Sequence, residues 1–264
     1  MTELTDDRFI IDNMEWSFSR LNSYHNCGKE WYENYILENE KTNNAFGQFG
    51  GYCHTIIEKY LKGELELFDL ADYYVEHYAE NVTMNFPSNK YVDLGEKAYN
   101  QGYEYFESGV DFDLDKYEVL GVEEEIHLTV DKYKIIGFID ALFRNKETGE
   151  ITILDHKSSS FKFLKNGEVS STNKEQMDHY IKQEYLYSKA IIEKYGRCDK
   201  LAWNFFKTQD WYEIPWIKKD YENTLKWVLD TIHTIEEERN WKPKVDMFYC
   251  NNLCSQRYGC EYRP

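Results

Sequence analysis

Three apolar runs follow one another between residues 117 and 155, and they constrain the fold more than any other part of the sequence. The runs 117–130 and 133–144 alternate Val, Ile, Leu and Phe with polar residues, and they are joined at Asp131–Lys132. A turn at Thr148–Gly149 then leads into Ile151–Asp155. Apolar alternation bounded by short polar joints is typical of strands. We therefore predict three consecutive strands.

Helical spacing of apolar and aromatic residues predicts most of the other elements. The pattern between Ser19 and Glu38 breaks near Gly28, which predicts two short helices that meet at Cys27. The glycines Gly47, Gly50 and Gly51 are expected to open a helix over 53–62. Further predictions are helices over 67–109, with a break around 87–89, and over 173–195 and 220–239, a strand over 200–208, and an irregular tail from residue 241.

The composition is that of a globular chain. Of 264 residues, 42% are hydrophobic and 30% charged, with a mean hydropathy of -0.74, which argues against fibrous, disordered and membrane-spanning classes. Met1 to Arg8 carry neither a basic patch nor an apolar stretch, so no secretory signal is predicted and the cytoplasm is the expected location. In that reducing compartment the six cysteines are expected to be metal ligands or buried thiols.

The net charge of -17 argues at first against a nucleic-acid partner, because binding to phosphates depends on lysine and arginine. The charge is unevenly distributed. Residues 1–155 carry 13 Lys+Arg against 32 Asp+Glu, whereas residues 156–264 carry 18 against 16. The C-terminal part is therefore compatible with a groove that binds DNA.

Two aspartates and a lysine form the most informative motif. Asp140 follows Gly137-Phe138-Ile139, and Asp155-His156-Lys157 ends the next apolar run. Residues i and i+2 of a strand share a face, so Asp155 and Lys157 are expected to face one site. Carboxylates suit Mg²⁺, and a lysine beside the metal can orient the attacking water in phosphodiester hydrolysis or help to deprotonate it. The alternative is that both aspartates merely end strands and that the lysine is solvated.

Other polar residues have the spacing to join this site. His54 is placed at the start of a helix, where imidazole can either bind a metal or serve a structural role. Gln183 and Tyr187 are four residues apart and share a helix face that could grip a DNA strand. Gln176 and Tyr180 repeat this spacing, so the assignment between the two pairs stays open.

These motifs, in their order along the chain, resemble the RecB/AddB branch of the PD-(D/E)XK nuclease superfamily. The resemblance also covers Ser17-x-Ser19-x-Leu21-x-x-Tyr24-x-x-Cys27, which is similar to the opening motif of members that carry an iron–sulfur cluster. It implies that His54, Asp140 and Asp155 bind Mg²⁺ or Mn²⁺ and that the His156 carbonyl adds a ligand. It also implies that Lys157 is catalytic, with Gln183 and Tyr187 beside it. Glu58, one helical turn after His54, is expected to orient that histidine or to contact a second metal.

The resemblance further implies a [4Fe–4S] cluster held by one N-terminal and three C-terminal cysteines, here Cys27, Cys250, Cys254 and Cys260. The C-terminal spacing is C-x3-C-x5-C where the family usually has C-x2-C-x5-C, and Gly28 stands where proline is common. A four-cysteine zinc site and a set of free thiols remain alternatives. Cys53 and Cys198 fit neither pattern and are expected to be buried.

The resemblance implies an α/β fold with a restriction-endonuclease-like core, in which helices flank a central mixed sheet, and a helical N-terminal lobe. A single domain over 1–264 is expected, with the helical lobe at about 60–110, the nuclease core at about 117–210, and a cysteine-rich tail over 241–264 joined to Cys27.

The expected function is that of a Mg²⁺- or Mn²⁺-dependent DNA exonuclease that acts on single strands or DNA ends in recombination, repair or phage DNA metabolism. No G-x-x-x-x-G-K-[ST] motif occurs, so a helicase or recombination protein is an expected partner and a membrane is not. The alternatives are a non-cutting DNA-end-binding subunit of a recombination or CRISPR adaptation complex, and a zinc-stabilised RNA-processing protein.

Overall fold

The computed structural model describes residues 3–264, with side chains from Asp7 onward; the expectation for Met1 to Arg8 falls partly outside them. Nine α-helices occur among the described residues. They are α1 (Glu3–Asp12), α2 (Phe18–Asn26), α3 (Gly28–Tyr35), α4 (Ala45–Leu61), α5 (Leu70–Asn81), α6 (Leu94–Glu104), α7 (Lys174–Tyr195), α8 (Lys218–Glu237) and α9 (Met247–Asn252). None of these helices has the length and apolar character needed to cross a membrane.

Five strands form one mixed sheet in the order β1-β2-β3-β4-β5. They are β1 (Tyr117–Val130), β2 (Tyr133–Asn145), β3 (Ile151–Lys157), β4 (Lys200–Phe205) and β5 (Asp210–Pro215). β3 pairs antiparallel with β2 and parallel with β4, and β4 pairs antiparallel with β5. The long helix α7 makes the crossover that the parallel pair requires. The mixed sheet with flanking helices confirms the predicted α/β fold class.

The structure corrects the predicted start of α4. The helix begins at Ala45, so Gly47, Gly50 and Gly51 lie inside it and His54 lies in its second half. Each glycine costs a helix only about 1 kcal/mol, which tertiary packing can offset. A Cβ at Gly50 would lie 2.8 Å from Ser158 Oγ, so a larger residue there would disturb the loop after Lys157.

The C-terminal third contains two elements that were not predicted. β5 occupies a segment to which no element was assigned, and the short helix α9 occurs in the cysteine-rich tail that was expected to be irregular. Half-buried and exposed residues alternate along β5. The strand is stabilised by its pairing with β4, which cannot be inferred from the short sequence of β5 itself.

Contacts along the chain divide it into two compact units. One combines the N-terminal segment up to Asn44 with His127–Gly137 and Lys219–Pro264, and the other combines Ala45–Ile126 with Phe138–Lys218. Strands β1 and β2 therefore each contribute residues to both units. The single-domain layout expected from the sequence stays a prediction.

The unit that contains Ala45–Ile126 has an aromatic core against one face of the sheet. The sheet supplies Ala141, Leu154 and Ala202, and helices α4 and α5 supply side chains such as Phe49 and Tyr74, which are fully buried. Burying an aromatic or aliphatic side chain contributes roughly 1.5–3 kcal/mol. This packing holds α4 in place and thereby positions His54.

The other unit is centred on stacked tryptophans. The ring of Trp31 stacks against Trp16 at 6.5 Å and against Trp241 at 5.0 Å. Trp16 joins the sheet through backbone hydrogen bonds on both sides of Ile135. These rings join the N-terminal helices to the start of the C-terminal tail.

Candidate functional site

The two predicted aspartates lie where the β2–β3 ladder ends. Ala141 pairs with Leu154, so the next position along each strand places Asp140 beside Asp155. The backbone N–H of His156 donates a hydrogen bond of 2.7 Å to Asp140 Oδ2. Asp140 lies in the middle of β2 rather than at its end, because β2 continues beyond the paired segment. The register therefore brings together two carboxylates that are fifteen positions apart.

Helix α4 adds a nitrogen ligand. His54 Nδ1 lies 3.5 Å from Asp140 Oδ2, and its ring hydrogen-bonds the backbone of His156. Burial lowers the pKa of His54, which favours the neutral imidazole that binds metals. The backbone of His156 therefore takes part in this site twice. Its N–H donates to Asp140, and its carbonyl oxygen accepts from the His54 ring.

The His156 side chain points elsewhere. Its Nδ1 lies 3.0 Å from Asn204 Nδ2, and Asn204 donates to the hydroxyl of Tyr105 at 2.6 Å. Burial holds the pKa of His156 well below its ordinary value. The imidazole is therefore a neutral core group, and only the backbone of His156 is available as the predicted ligand.

Lys157 forms a buried ion pair with Asp155. Its Nζ lies 2.6 Å from Asp155 Oδ2, and the side chains are 15% and 6% exposed. Burial disfavours the ammonium group, but Asp155, with smaller contributions from Tyr180 and Asp140, offsets that effect and raises the pKa of Lys157. Burial raises the pKa of Asp155 to about 6 against the opposing effect of Lys157. The ion pair with Asp155 favours the charged ammonium group, which can orient a water molecule but has no free electron pair with which to deprotonate it.

Gln183 bridges this ion pair. Its Nε2 donates to Asp155 Oδ1 at 3.4 Å, and its Oε1 accepts from Lys157 Nζ at 3.4 Å. Tyr187 is buried instead. It is 6% exposed, and the backbone of Phe138 donates a hydrogen bond to its hydroxyl. This buried position favours a packing role for Tyr187, and its predicted role in gripping DNA stays a prediction.

Glu123 is a site residue that the sequence reasoning missed. Three potential ligand atoms lie within 4.8 Å of one another, one each from His54, Glu123 and Asp140. Glu123 has a φ of 51°, which is rare for a non-glycine residue in a strand and redirects its side chain. Burial, with the charges of Asp140 and Glu58, raises the pKa of Glu123 to about 7. The run of three glutamates 123–125 inside an apolar strand is the signal that could have identified it.

Two carboxylates and an imidazole form a group that can bind a divalent cation. Asp155 is not part of this closest group, because its carboxylate is paired with Lys157 and Gln183. Glu58 is also outside this group of ligand atoms, and its carboxylate forms an ion pair with Lys62 Nζ at 2.6 Å. The predicted ligand role of Asp155 and the inferred role of Glu58 stay predictions.

The other unit contains a cysteine-lined cavity of about 310 Å³. Its walls include all four cysteines of the predicted cluster, Cys27, Cys250, Cys254 and Cys260. None of the four forms a disulfide. Cys27 Sγ accepts hydrogen bonds from the backbone N–H groups of Glu30 at 3.5 Å and Lys244 at 3.4 Å. The fold therefore brings residues from both ends of the sequence to one cavity.

Protein contacts hold the tail at this cavity. The buried carboxylate of Glu30 accepts hydrogen bonds from Ser255 N at 2.7 Å, Ser255 Oγ at 2.8 Å and Tyr249 OH at 2.7 Å. Arg257 donates to the carbonyl oxygens of Thr42 and Asn43. The remaining two cysteines, Cys53 and Cys198, are buried elsewhere, as predicted.

Comparison with known proteins identifies the class of this chain. It matches the PD-(D/E)XK nuclease superfamily over residues 15–263, and it therefore belongs to that superfamily. A structure named "Putative exonuclease", from Eubacterium rectale, is similar with a TM-score of 0.53 and 13% identity, over 98% of this chain and 92% of that chain. That likeness concerns the fold.

A second structure, SSO0001, is 19% identical over 80% of this chain and 96% of that chain, with a TM-score of 0.34. A comparison with curated proteins gave no match.

We predict that Glu123→Gln weakens Mn²⁺ binding at least about tenfold, because it removes one ligand charge from the group. Isothermal titration calorimetry on DNA-free protein measures this affinity. The matched control is Glu125→Gln, which changes an exposed residue of the same run and should leave the affinity unchanged. Equal affinities of wild type and Glu123→Gln would exclude Glu123 as a ligand.

Proposed function

We propose that this nuclease hydrolyses DNA phosphodiester bonds as a Mg²⁺- or Mn²⁺-dependent exonuclease. The observation that carries the proposal is the placement of Lys157 against Asp155, beside the group of His54, Glu123 and Asp140. Oxygen-rich ligand sets with one imidazole suit Mg²⁺ and Mn²⁺. These residue types are the ones that metal-assisted phosphodiester hydrolysis requires.

His54, Asp140 and Glu123 would hold the divalent cation, with Asp155 and the His156 carbonyl as the further ligands that the family resemblance implies. When bound, the cation offsets the negative charge that develops on the scissile phosphate. Asp155 and Gln183 orient the Lys157 ammonium. The ammonium group then binds the attacking water or a phosphate oxygen by a charge-assisted hydrogen bond.

Several observations support DNA ends as the substrate. His54, Asp140, Asp155, Lys157 and Gln183 resemble the RecB/AddB pattern in identity and order. A solved structure of similar fold is named "Putative exonuclease". The chain from residue 156 onward carries 18 Lys+Arg against 16 Asp+Glu, whereas the preceding part is strongly acidic. A helicase or recombination protein would supply the strand separation for which this sequence has no motor motif. We place this activity in recombination, repair or phage DNA metabolism, in the cytoplasm.

The alternative of a non-cutting DNA-end-binding subunit is weakened by the intact site. Asp140, Asp155 and Lys157 are all present and in contact with partners that would orient them for catalysis. A subunit that only binds DNA would not need a buried lysine–aspartate pair, since burying charges is costly.

We also propose that the four-cysteine cavity holds a [4Fe–4S] cluster. Burial, with a contribution from Glu30, raises the pKa of Cys254 to about 12, so a bound metal would be needed to keep that thiol ionised. Among the described residues, the four cysteines do not form a group with ligand atoms within 4.8 Å of one another. A four-cysteine zinc site is the alternative that metal analysis distinguishes from the cluster.

We predict that Asp155→Ala and Lys157→Ala each lower the rate of DNA cleavage at least about a hundredfold, the usual size of the contribution from a positioned acid–base group. The assay follows end-labelled single-stranded and duplex DNA in Mg²⁺ and in Mn²⁺. The exposed ion pair of Lys226 and Asp230 offers matched controls, and the variants Lys226→Ala and Asp230→Ala should cut at the wild-type rate. If wild type and all variants bind DNA equally and none cuts, the protein is the non-cutting subunit.

We predict that anaerobically purified protein is brown and contains about four irons per chain, as a [4Fe–4S] cluster requires. Cys254→Ser should lose iron and colour, whereas Cys198→Ser, at a buried cysteine outside the cavity, should keep both. Iron, sulfide and zinc analysis with a visible spectrum measures this. Stoichiometric zinc, or no metal, would contradict the proposed cluster and leave the nuclease site unaffected.

A further inference from the structure

The ammonium group of Lys157 lies over an aromatic ring as well as against Asp155. Its Nζ lies 4.3 Å from the centroid of the Tyr180 ring. The Lys157 side chain is only 15% exposed, and a cation over an aromatic face is held most strongly where water is excluded. Tyr180 therefore contributes to holding Lys157, alongside the two oxygen-bearing neighbours Asp155 and Gln183.

Tyr180 is itself held in place at its hydroxyl. Gln176 Nε2 donates to the Tyr180 oxygen at 2.7 Å, and Ser159 Oγ lies 3.2 Å from the same oxygen. The ring also contacts Phe161 and Phe205 at centroid distances of 6.3 and 6.4 Å. The aromatic face is thus fixed from two sides before any substrate arrives.

The two Gln-x-x-x-Tyr pairs on α7 each contribute one residue to the surroundings of Lys157. The glutamine that reaches Lys157 is Gln183, whereas the tyrosine beneath Lys157 is Tyr180 of the other pair. Tyr187, the partner of Gln183 in sequence, is buried and bonded by the Phe138 backbone. One helix face therefore presents an amide and an aromatic ring to the same ammonium group.

We propose that Tyr180 is a positioning residue that holds Lys157 in its catalytic place, a role that rests on the proposed nuclease function. A carboxylate such as Asp155 would hold Lys157 less strongly if it also served as a ligand of a divalent cation. A neutral aromatic ring has no comparable affinity for Mg²⁺. Tyr180 would therefore still hold the ammonium group if Asp155 were a metal ligand.

The contact can be tested without any nuclease assay. In protein labelled with ¹³C on lysine, the ring current of Tyr180 should shift the ε-proton resonance of Lys157 upfield, and Lys157→Arg assigns that resonance by its loss. Tyr180→Phe keeps the ring and should keep the shift, whereas Tyr180→Leu should abolish it. An unchanged Lys157 resonance in Tyr180→Leu would overturn the proposed contact.

The role of the contact is tested by kinetics. We expect Tyr180→Leu to lower kcat about tenfold, which lies within the range for a partly desolvated cation over a ring, with KM unchanged. Tyr180→Phe should stay within about twofold of wild type, because its ring face remains. In a Lys157→Ala background, Tyr180→Leu should have no further effect, since it acts through the lysine. Equal losses in both backgrounds would overturn the positioning role.

A second series keeps the shape of the ring and guards against misfolding of Tyr180→Leu. Phenylalanine, 4-fluorophenylalanine and 3,4,5-trifluorophenylalanine at position 180 progressively weaken the negative ring face, so kcat should fall in that order at equal thermal stability. A flat series would contradict the proposal. If the wild type does not cut DNA while the lysine resonance shifts as expected, the proposed function fails and the Lys157–Tyr180 contact stands.

Discussion

The crowding of buried and half-buried carboxylates at the end of the β2–β3 ladder is the constraint on which the rest of the site depends. Asp140 and Asp155 become neighbours because of the strand register, and burial raises the pKa of both. Glu123 adds a third carboxylate to these two, and Lys157 forms an ion pair with one of the three, Asp155. Buried like charges repel one another, so a bound divalent cation would relieve a cost that the fold itself creates.

Much of this arrangement could be predicted from the sequence, because it depends on local patterns. Alternating apolar residues located β1, β2 and β3, and the D-x-K spacing placed Asp155 and Lys157 on one face. The early start of α4 could not be predicted, since its glycines are tolerated through packing such as the close approach of Gly50 to Ser158. The strand β5 depends on its pairing with β4, which lies outside its own sequence.

Glu123 and Tyr180 were not predicted as site residues, and the physical reason is similar for both. Glu123 reaches the site through a left-handed backbone conformation, and Tyr180 meets Lys157 where α7 packs against β3. Neither is specified by spacing along one element. The Gln-x-x-x-Tyr pattern pointed to α7, but the contacts of Lys157 take Gln183 from one copy of the pattern and Tyr180 from the other.

Each compact unit contains one group of candidate ligands, and the two groups differ in chemistry. Hard oxygen and imidazole ligands suit Mg²⁺ or Mn²⁺, whereas soft thiolates suit iron–sulfur clusters or zinc. The cysteine cavity is also bordered by Glu30, whose hydrogen bonds to Ser255 and Tyr249 join α3 to the tail through protein contacts. A cluster there would add to an association that these contacts already support.

The most direct test of the central claim is anomalous diffraction at the manganese edge from crystals grown with Mn²⁺. The account predicts a strong peak within about 2.5 Å of ligand atoms from His54 and Asp140, with Glu123 or Asp155 completing the set. Crystals in which Mn²⁺ binds elsewhere while this carboxylate group retains its direct contacts would contradict the proposed metal-dependent nuclease site.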